Sequence, residues 1–220
     1  MPTMDIHVAH RHLQTSRLIG VDFLPIGDVL PSTDKQSELD QLQMQHDTTC
    51  PHCTAATNYT QTVFGTGAPD APLMFIGEAP GAEEDAQGIP FVGAAGKKLD
   101  QMIEAIGFKR EDVYIANILK SRPPDNRTPL PSEVEECGPY LRKQIKIINP
   151  TVIVSLGSPA TKYLLQTVEG ITRLRGNWND YEGIPVMPTY HPAYMLRNYT
   201  KEVRQQVWSD MQKVISRLSQ

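Results

Sequence analysis

Three groups of residues in this sequence are of types that carry chemistry. Cys50-Pro51-His52-Cys53 sets two thiols three positions apart, and a third thiol, Cys137, lies far downstream. Thiols so spaced bind metal ions, and the plain alternative is two incidental thiols and one buried cysteine. Gly77-Glu78-Ala79-Pro80-Gly81 is a Gly/Pro-rich turn that leads into the acidic run Glu83-Glu84-Asp85. Carboxylates placed there could act on water or on a cation, or could simply favour the start of a helix. The third group is Asn117, an amide that both donates and accepts, and His191, an imidazole followed by Pro192. Each of these two could equally serve a loop or a surface turn.

The elements that must position these residues are readable from periodicity. Leu73-Met74-Phe75-Ile76 is a short apolar run stopped by Gly77, as expected of a buried strand. Leu99, Met102, Ile103 and Ile106 recur at helical spacing, and Gly107 closes that helix. Val113-Tyr114-Ile115 predicts a second strand, ending at Asn117. Ser132-Glu133-Val134-Glu135 fits a capping box that opens a helix running to about Ile148. Thr151 to Leu156 reads as a third strand ended by Gly157, with Ser158 as the cap of the next helix. Ile184 to Met187 is a fourth, shorter strand, and Val203, Val207, Met211 and Val214 mark a C-terminal helix. This alternation predicts a three-layer α/β/α fold with a central, mainly parallel four-stranded sheet. Ligands of such sheets gather at the C-terminal ends of the strands, where Gly77-Glu78, Asn117, Gly157-Ser158 and His191 all fall.

Residues 1–45 read as an N-terminal extension, partly disordered, with a short helix from about Gln36 to His46 resting on Leu39 and Leu42. Residues 46–220 form the expected catalytic domain. Net charge is −4, but residues 120–220 carry fourteen Lys/Arg against nine Asp/Glu, which permits phosphate contacts on one face. No apolar run is long enough to cross a membrane, and the first twenty residues lack the basic-then-apolar build expected of a signal peptide. An intracellular, cytoplasmic monomer is expected.

Several motifs, taken in order, resemble the iron–sulfur (family 4) uracil-DNA glycosylases. They are Val63-Phe64-Gly65-Thr66-Gly67, the stretch Gly77 to Asp85, Gly88-Ile89-Pro90-Phe91-Val92-Gly93, Asn117, Ile171 to Gly176, and His191-Pro192-Ala193-Tyr194-Met195-Leu196-Arg197. The resemblance covers roughly Cys50 to the C-terminus. It implies hydrolysis of the N-glycosidic bond of uracil in single- or double-stranded DNA, leaving an abasic site for base excision repair. It places Phe91 as the ring that stacks on the flipped base, and Asn117 as the amide that reads it. Gly77, Glu78 and Ala79 would shape the pocket. His191 would donate to uracil O2 as charge develops, and Glu84 would steady the sugar cation and position water, with Asp85 and Glu78 as competing carboxylates. Tyr194, Met195 and Leu196 would wedge into the duplex, and Arg197 would hold phosphate.

The resemblance also implies a four-iron, four-sulfur cluster held by four cysteines. Cys50, Cys53 and Cys137 match three of them, and Ser121 stands where the fourth is expected. A labile cluster completed by Ser121, His52 or an open site is the expectation, with zinc bound by the three thiols and His52 as the alternative. The metal would fix DNA-binding loops. Competing functional readings are a uracil-DNA-binding protein without turnover, a scaffold on the same fold, and an enzyme for another deaminated base. Covalent capture of the abasic sugar, known in a related subfamily, needs a histidine in an inserted loop, and Pro124-Asp125-Asn126-Arg127-Thr128-Pro129 has neither.

Overall fold

A computed structural model describes residues 34–56 and 58–219, so the part of the extension at residues 1–33 lies outside the described residues. Every apolar run read as a strand is one. They are β2 (Leu73–Gly77), β3 (Tyr114–Asn117), β4 (Val152–Leu156) and β6 (Ile184–Thr189), and they pair in parallel. With β1 (Thr66–Gly67) and β5 (Asn179–Tyr181), the sheet has six strands among the described residues, in the order β1-β3-β2-β4-β6-β5. The two strands beyond the expected four, β1 and β5, are antiparallel edges. One has two residues and the other is polar, so neither carries the apolar run that betrays a central strand.

Both faces of the sheet are covered, which is why β2 and β4 are buried at every position. Leu73, Phe75, Ile115 and Val154 pack on one side against α4 (Ala94–Ala105) and α9 (Lys201–Leu218). Val203, Val207, Met211 and Val214 form the buried stripe of α9, as their spacing predicted. Met74, Ile76, Ala116 and Ile153 pack on the other side against α5 (Pro131–Ile148) and α6 (Gly157–Leu165). The result is the three-layer α/β/α arrangement.

Helix starts differ from the sequence reading in two places. α5 opens at Pro131 rather than at Ser132, because the Glu133 carboxylate reaches back to accept from the Leu130 N–H at 2.7 Å. α6 opens at Gly157, directly on the end of β4, which puts Ser158 inside the first turn instead of at the cap. The helix expected near Gln36 is α1 (Lys35–Thr49). It runs through position 45, and its Leu39 and Leu42 are buried, with Leu39 in the core shared with α5. Short helices α2 (Pro51–Ala55), α3 (Ala82–Gln87), α7 (Ile171–Leu174) and α8 (Pro192–Arg197) complete the described fold. Among the described residues no helix is long and apolar enough to cross a membrane.

Candidate active site and metal centre

Parallel pairing puts the chemistry-bearing residues at one end of the sheet. Gly77 is opposite Asn117 in the β2–β3 register, and the chain continues from these strand ends into a cavity of about 670 Å³. Glu78, Ala79, Glu84, Phe91, Asn117 and His191 all line it. The cavity is held open by glycines at close approaches. Gly157 sits at φ +83°, and a Cβ there would stand 3.0 Å from His191 Cβ. A Cβ on Gly77 would run into Asn117 Oδ1 and lie 2.6 Å from Phe91 Cζ. Gly77 itself is not among the residues that line the cavity. It is the floor on which the amide and the ring lie.

Phe91 is held in the left-handed region, φ +52°, a conformation that bulky side chains rarely adopt. Its surroundings fix it there. Gly96 leaves room for the Phe91 carbonyl, and Arg110 clamps the preceding Pro90 carbonyl while pairing with Asp100 at 2.6 Å. The ring faces His191, with centroids 5.6 Å apart and planes 34° from parallel. Asn117 is almost fully buried, and its Oδ1 has no hydrogen-bond partner among the described residues. A buried carbonyl oxygen without a partner is costly, and a ligand N–H is the natural group to satisfy it. The backbone of Asn117 is fixed from behind. The Lys120 ammonium, wholly buried, donates to the Asn117 carbonyl at 2.7 Å and to Gln144 Oε1 at 2.6 Å.

His191 caps α8: its Nδ1 accepts from the Ala193 N–H at 3.1 Å. Nδ1 must then carry the lone pair, so the neutral ring carries its proton on Nε2. Burial, aided by the Arg197 guanidinium and opposed by Glu84, lowers its pKa to about 4. At neutral pH His191 is thus an uncharged donor.

The three carboxylates are used differently. Glu84 accepts from the N–H groups of Val92 at 2.9 Å, Gly93 at 3.0 Å and Gly81 at 3.1 Å, bracing the two loops that frame Phe91. Asp85 is buried away from the cavity and accepts from the Thr60 N–H at 2.7 Å. Glu78 lines the cavity, and burial raises its pKa above the usual carboxylate range.

The segment after His191 splits by helical geometry. Tyr194, Leu196 and Arg197 are exposed, and Tyr194 and Arg197 reach the cavity rim. Met195, expected at the DNA-facing surface with them, is instead 5% exposed and belongs to the core under α8. One residue on a helix turns the side chain by about 100°, enough to carry it from the exposed face to the buried one. Sequence reading also passed over Tyr190, which stacks on Tyr194 at 4.7 Å, and Arg127, which lines the cavity and grips Glu133 through two nitrogens. Tyr190 directly precedes the His-Pro turn, and Arg127 lies in a Pro-rich loop, so proximity to motifs was the available signal. Arg175, in the Ile171–Gly176 motif, forms a buried pair with Asp210, which also accepts from Thr189 at 2.7 Å. That pair fastens the motif to β6 and α9 beneath Tyr190.

The thiols converge. Cys50, Cys53 and Cys137 are 0–1% exposed and lie together with a residue the sequence reading missed, His46. His46 precedes Cys50 by four residues on the last turns of α1, a His-x-x-x-Cys-x-x-Cys spacing that was there to be read. The donor atoms of these four all lie within 4.8 Å of one another. Ser121 and His52 stand beside the group, bonded to each other at 3.1 Å. The group offers the donor atoms of a metal site. It shares its hydrophobic surroundings with Ala79 of the cavity wall.

Fold and site together define a three-layer α/β protein whose pocket, at the strand ends, suits a flat ring with hydrogen-bonding edges. A family model described as the uracil DNA glycosylase superfamily matches residues 64–212. A type-4 uracil-DNA glycosylase of Thermotoga maritima is 44% identical over 183 residues, covering 82% of this chain and 95% of that one. One from Archaeoglobus fulgidus is 43% identical over 173 residues, covering 75% and 86%, and one from Sulfurisphaera tokodaii is 45% identical over 174 residues, covering 75% and 78%. The chain belongs to the uracil DNA glycosylase superfamily, in its type-4 branch.

Proposed function

We propose that this protein excises uracil from DNA, hydrolysing its N-glycosidic bond to leave an abasic site for base excision repair. The observation that carries the reading is the buried, unpartnered Oδ1 of Asn117 beside the Phe91 ring. A uracil stacked on Phe91 offers N3–H to that oxygen and O4 to the amide NH₂. Cytosine offers the opposite pattern and would leave both ends unsatisfied. The target base must leave the helix to enter such a pocket.

Bond cleavage places negative charge on the departing base and positive charge on the sugar. His191 Nε2–H donates to uracil O2 as that charge grows, and the ring needs no proton transfer to do so. Glu84 faces the pocket while bracing its loops, and Glu78, whose carboxyl makes no hydrogen bond among the described residues and is raised by burial, holds the attacking water. Tyr194 and Leu196 enter the gap left by the base, and Arg197 takes a phosphate. Tyr199, 57% exposed with Lys98 and Arg204 over its ring, extends this surface. Residues 46–220 carry the catalytic domain, to which the remainder of α1 is fastened. No step passes through the metal centre, which acts by fixing the loops around Ala79 and Ser121.

The two carboxylates separate experimentally. Glu84→Gln keeps the shape but weakens three charge-assisted bonds, so melting temperature and rate fall together, with a stability loss of about 1–3 kcal/mol. Glu78→Gln lowers the rate and leaves melting unchanged or higher. The reading itself is tested with oligonucleotides carrying one uracil, cytosine or thymine, followed by alkali to reveal abasic sites. Strand breaks at uracil alone, reduced about 100-fold or more in Asn117→Ala, are expected. Breaks at cytosine by the unaltered protein, or undiminished cleavage by Asn117→Ala, would sink the assignment of Asn117.

A further inference from the structure

The family resemblance implies a cubane cluster, and the donor spacing does not fit one. In a four-iron, four-sulfur cubane the protein ligands sit on the outer corners, with their sulfurs roughly 6.5 Å apart. Here Cys53 Sγ is 3.9 Å from Cys137 Sγ, and Cys137 Sγ is 4.0 Å from His46 Nε2. Ligands about 2.3 Å from a single tetrahedral ion stand about 3.8 Å apart. We infer that His46, Cys50, Cys53 and Cys137 form a Cys₃His site for one tetrahedral divalent ion of the zinc class, with His46 as the ligand that replaces the missing cysteine.

The surroundings are built for that ligand set. His46 is wholly buried, and its Nδ1 is bonded to Asp47 Oδ1 at 2.8 Å. This carboxylate holds the proton on Nδ1 and leaves the Nε2 lone pair facing the thiols, the arrangement that orients histidine on zinc. Asp47 is itself held by Thr62 Oγ1 at 2.9 Å. The Lys120 N–H donates to Cys137 Sγ at 3.2 Å, as backbone amides do to bound thiolates. Ser121 and His52, the residues expected to complete the set, are occupied otherwise. Ser121 Oγ accepts from Cys53 Sγ at 3.4 Å and bonds His52 Nε2, and His52 Nδ1 lies 4.0 Å from Glu133. They form a polar layer around the ion, not its coordination sphere. Closed four-ligand zinc sites are structural, and this one joins α1, α2 and α5, with the segment after β3 held to it through the Lys120 N–H.

The test is the metal content of the full chain, expressed with iron and zinc both supplied and purified without oxygen. One zinc per chain, no acid-labile sulfide and a colourless protein are expected, and cobalt substitution should give the visible bands of tetrahedral thiolate coordination. His46→Ala should lose the ion, whereas His46→Cys and Ser121→Ala should keep it. A brown protein with about four irons and matching sulfide overturns the inference. So does a metal-free protein, or full zinc occupancy in His46→Ala. The wild-type stoichiometry stands even if a variant fails to fold, and none of these readouts depends on glycosylase activity.

Discussion

Removing the imidazole in His191→Ala is expected to slow single-turnover uracil release by about 100- to 1,000-fold, the usual cost of one donor to a developing anion. The loss should appear in the chemical step, with DNA affinity little changed. Alanine also removes the cap on α8, which is worth about 1 kcal/mol. His191→Asn separates the two effects, because asparagine caps helices but places no donor where Nε2 stood. It should lose as much rate as alanine while melting like the unaltered protein. The pH profile carries the second half of this expectation. With a folded pKa of about 4, His191 stays neutral from pH 8 down to about 5, so it contributes no inflection there. The His191 contribution to activity should fall only as pH drops through about 4, below any fall caused by protonation of Glu78, whose pKa burial raises. The folded pKa lies below the unfolded value of about 6.5, so His191's contribution to stability is full above pH 6.5 and declines as pH falls toward 4. A rate that rises as pH drops from 7 to 6 would mean an imidazolium acts instead.

Gly77→Ala should be nearly as severe for a purely steric reason. The added methyl meets Asn117 Oδ1 and the Phe91 ring at once. The backbone cannot yield, because Gly77 is locked in the parallel ladder, with Ile118 N–H donating to its carbonyl at 3.1 Å. The amide and ring must move, and a displacement near 1 Å costs about 100-fold in rate. Overpacking should also cost about 1–3 kcal/mol of stability, read by denaturant melts. A Gly77→Ala protein with normal melting and normal uracil excision would contradict the geometry drawn here for the pocket floor.

How much of this was legible before folding follows from how local each signal is. The four parallel strands and α9 announced themselves, because a buried strand is a run and a packed helix is a stripe. The edges β1 and β5 did not, since two residues or a polar triplet carry no period. Asn117 and His191 were legible because their motifs sit at strand ends, where the fold must bring them together, whereas Phe91, between α3 and α4, was placed by its motif alone. What Glu84 does was not, because its three partners are backbone amides on two loops. Met195 was misplaced because four consecutive motif residues were read as one surface, although a helix distributes them around its axis. His46 was missed for a different reason. His52 stands inside the Cys-x-x-Cys pair, where a ligand is expected, whereas a helical turn separates His46 from Cys50 and puts both on one face.

The most direct test of the central claim is to count products. A duplex and a single strand, each with one uracil, are incubated with the full chain, and free base and DNA are quantified by mass spectrometry. One free uracil for each abasic strand, with turnover beyond one per protein and no protein–DNA adduct, is the expected result. Intact uracil-containing DNA from a folded, metal-loaded preparation, or an adduct that survives denaturation, would contradict it.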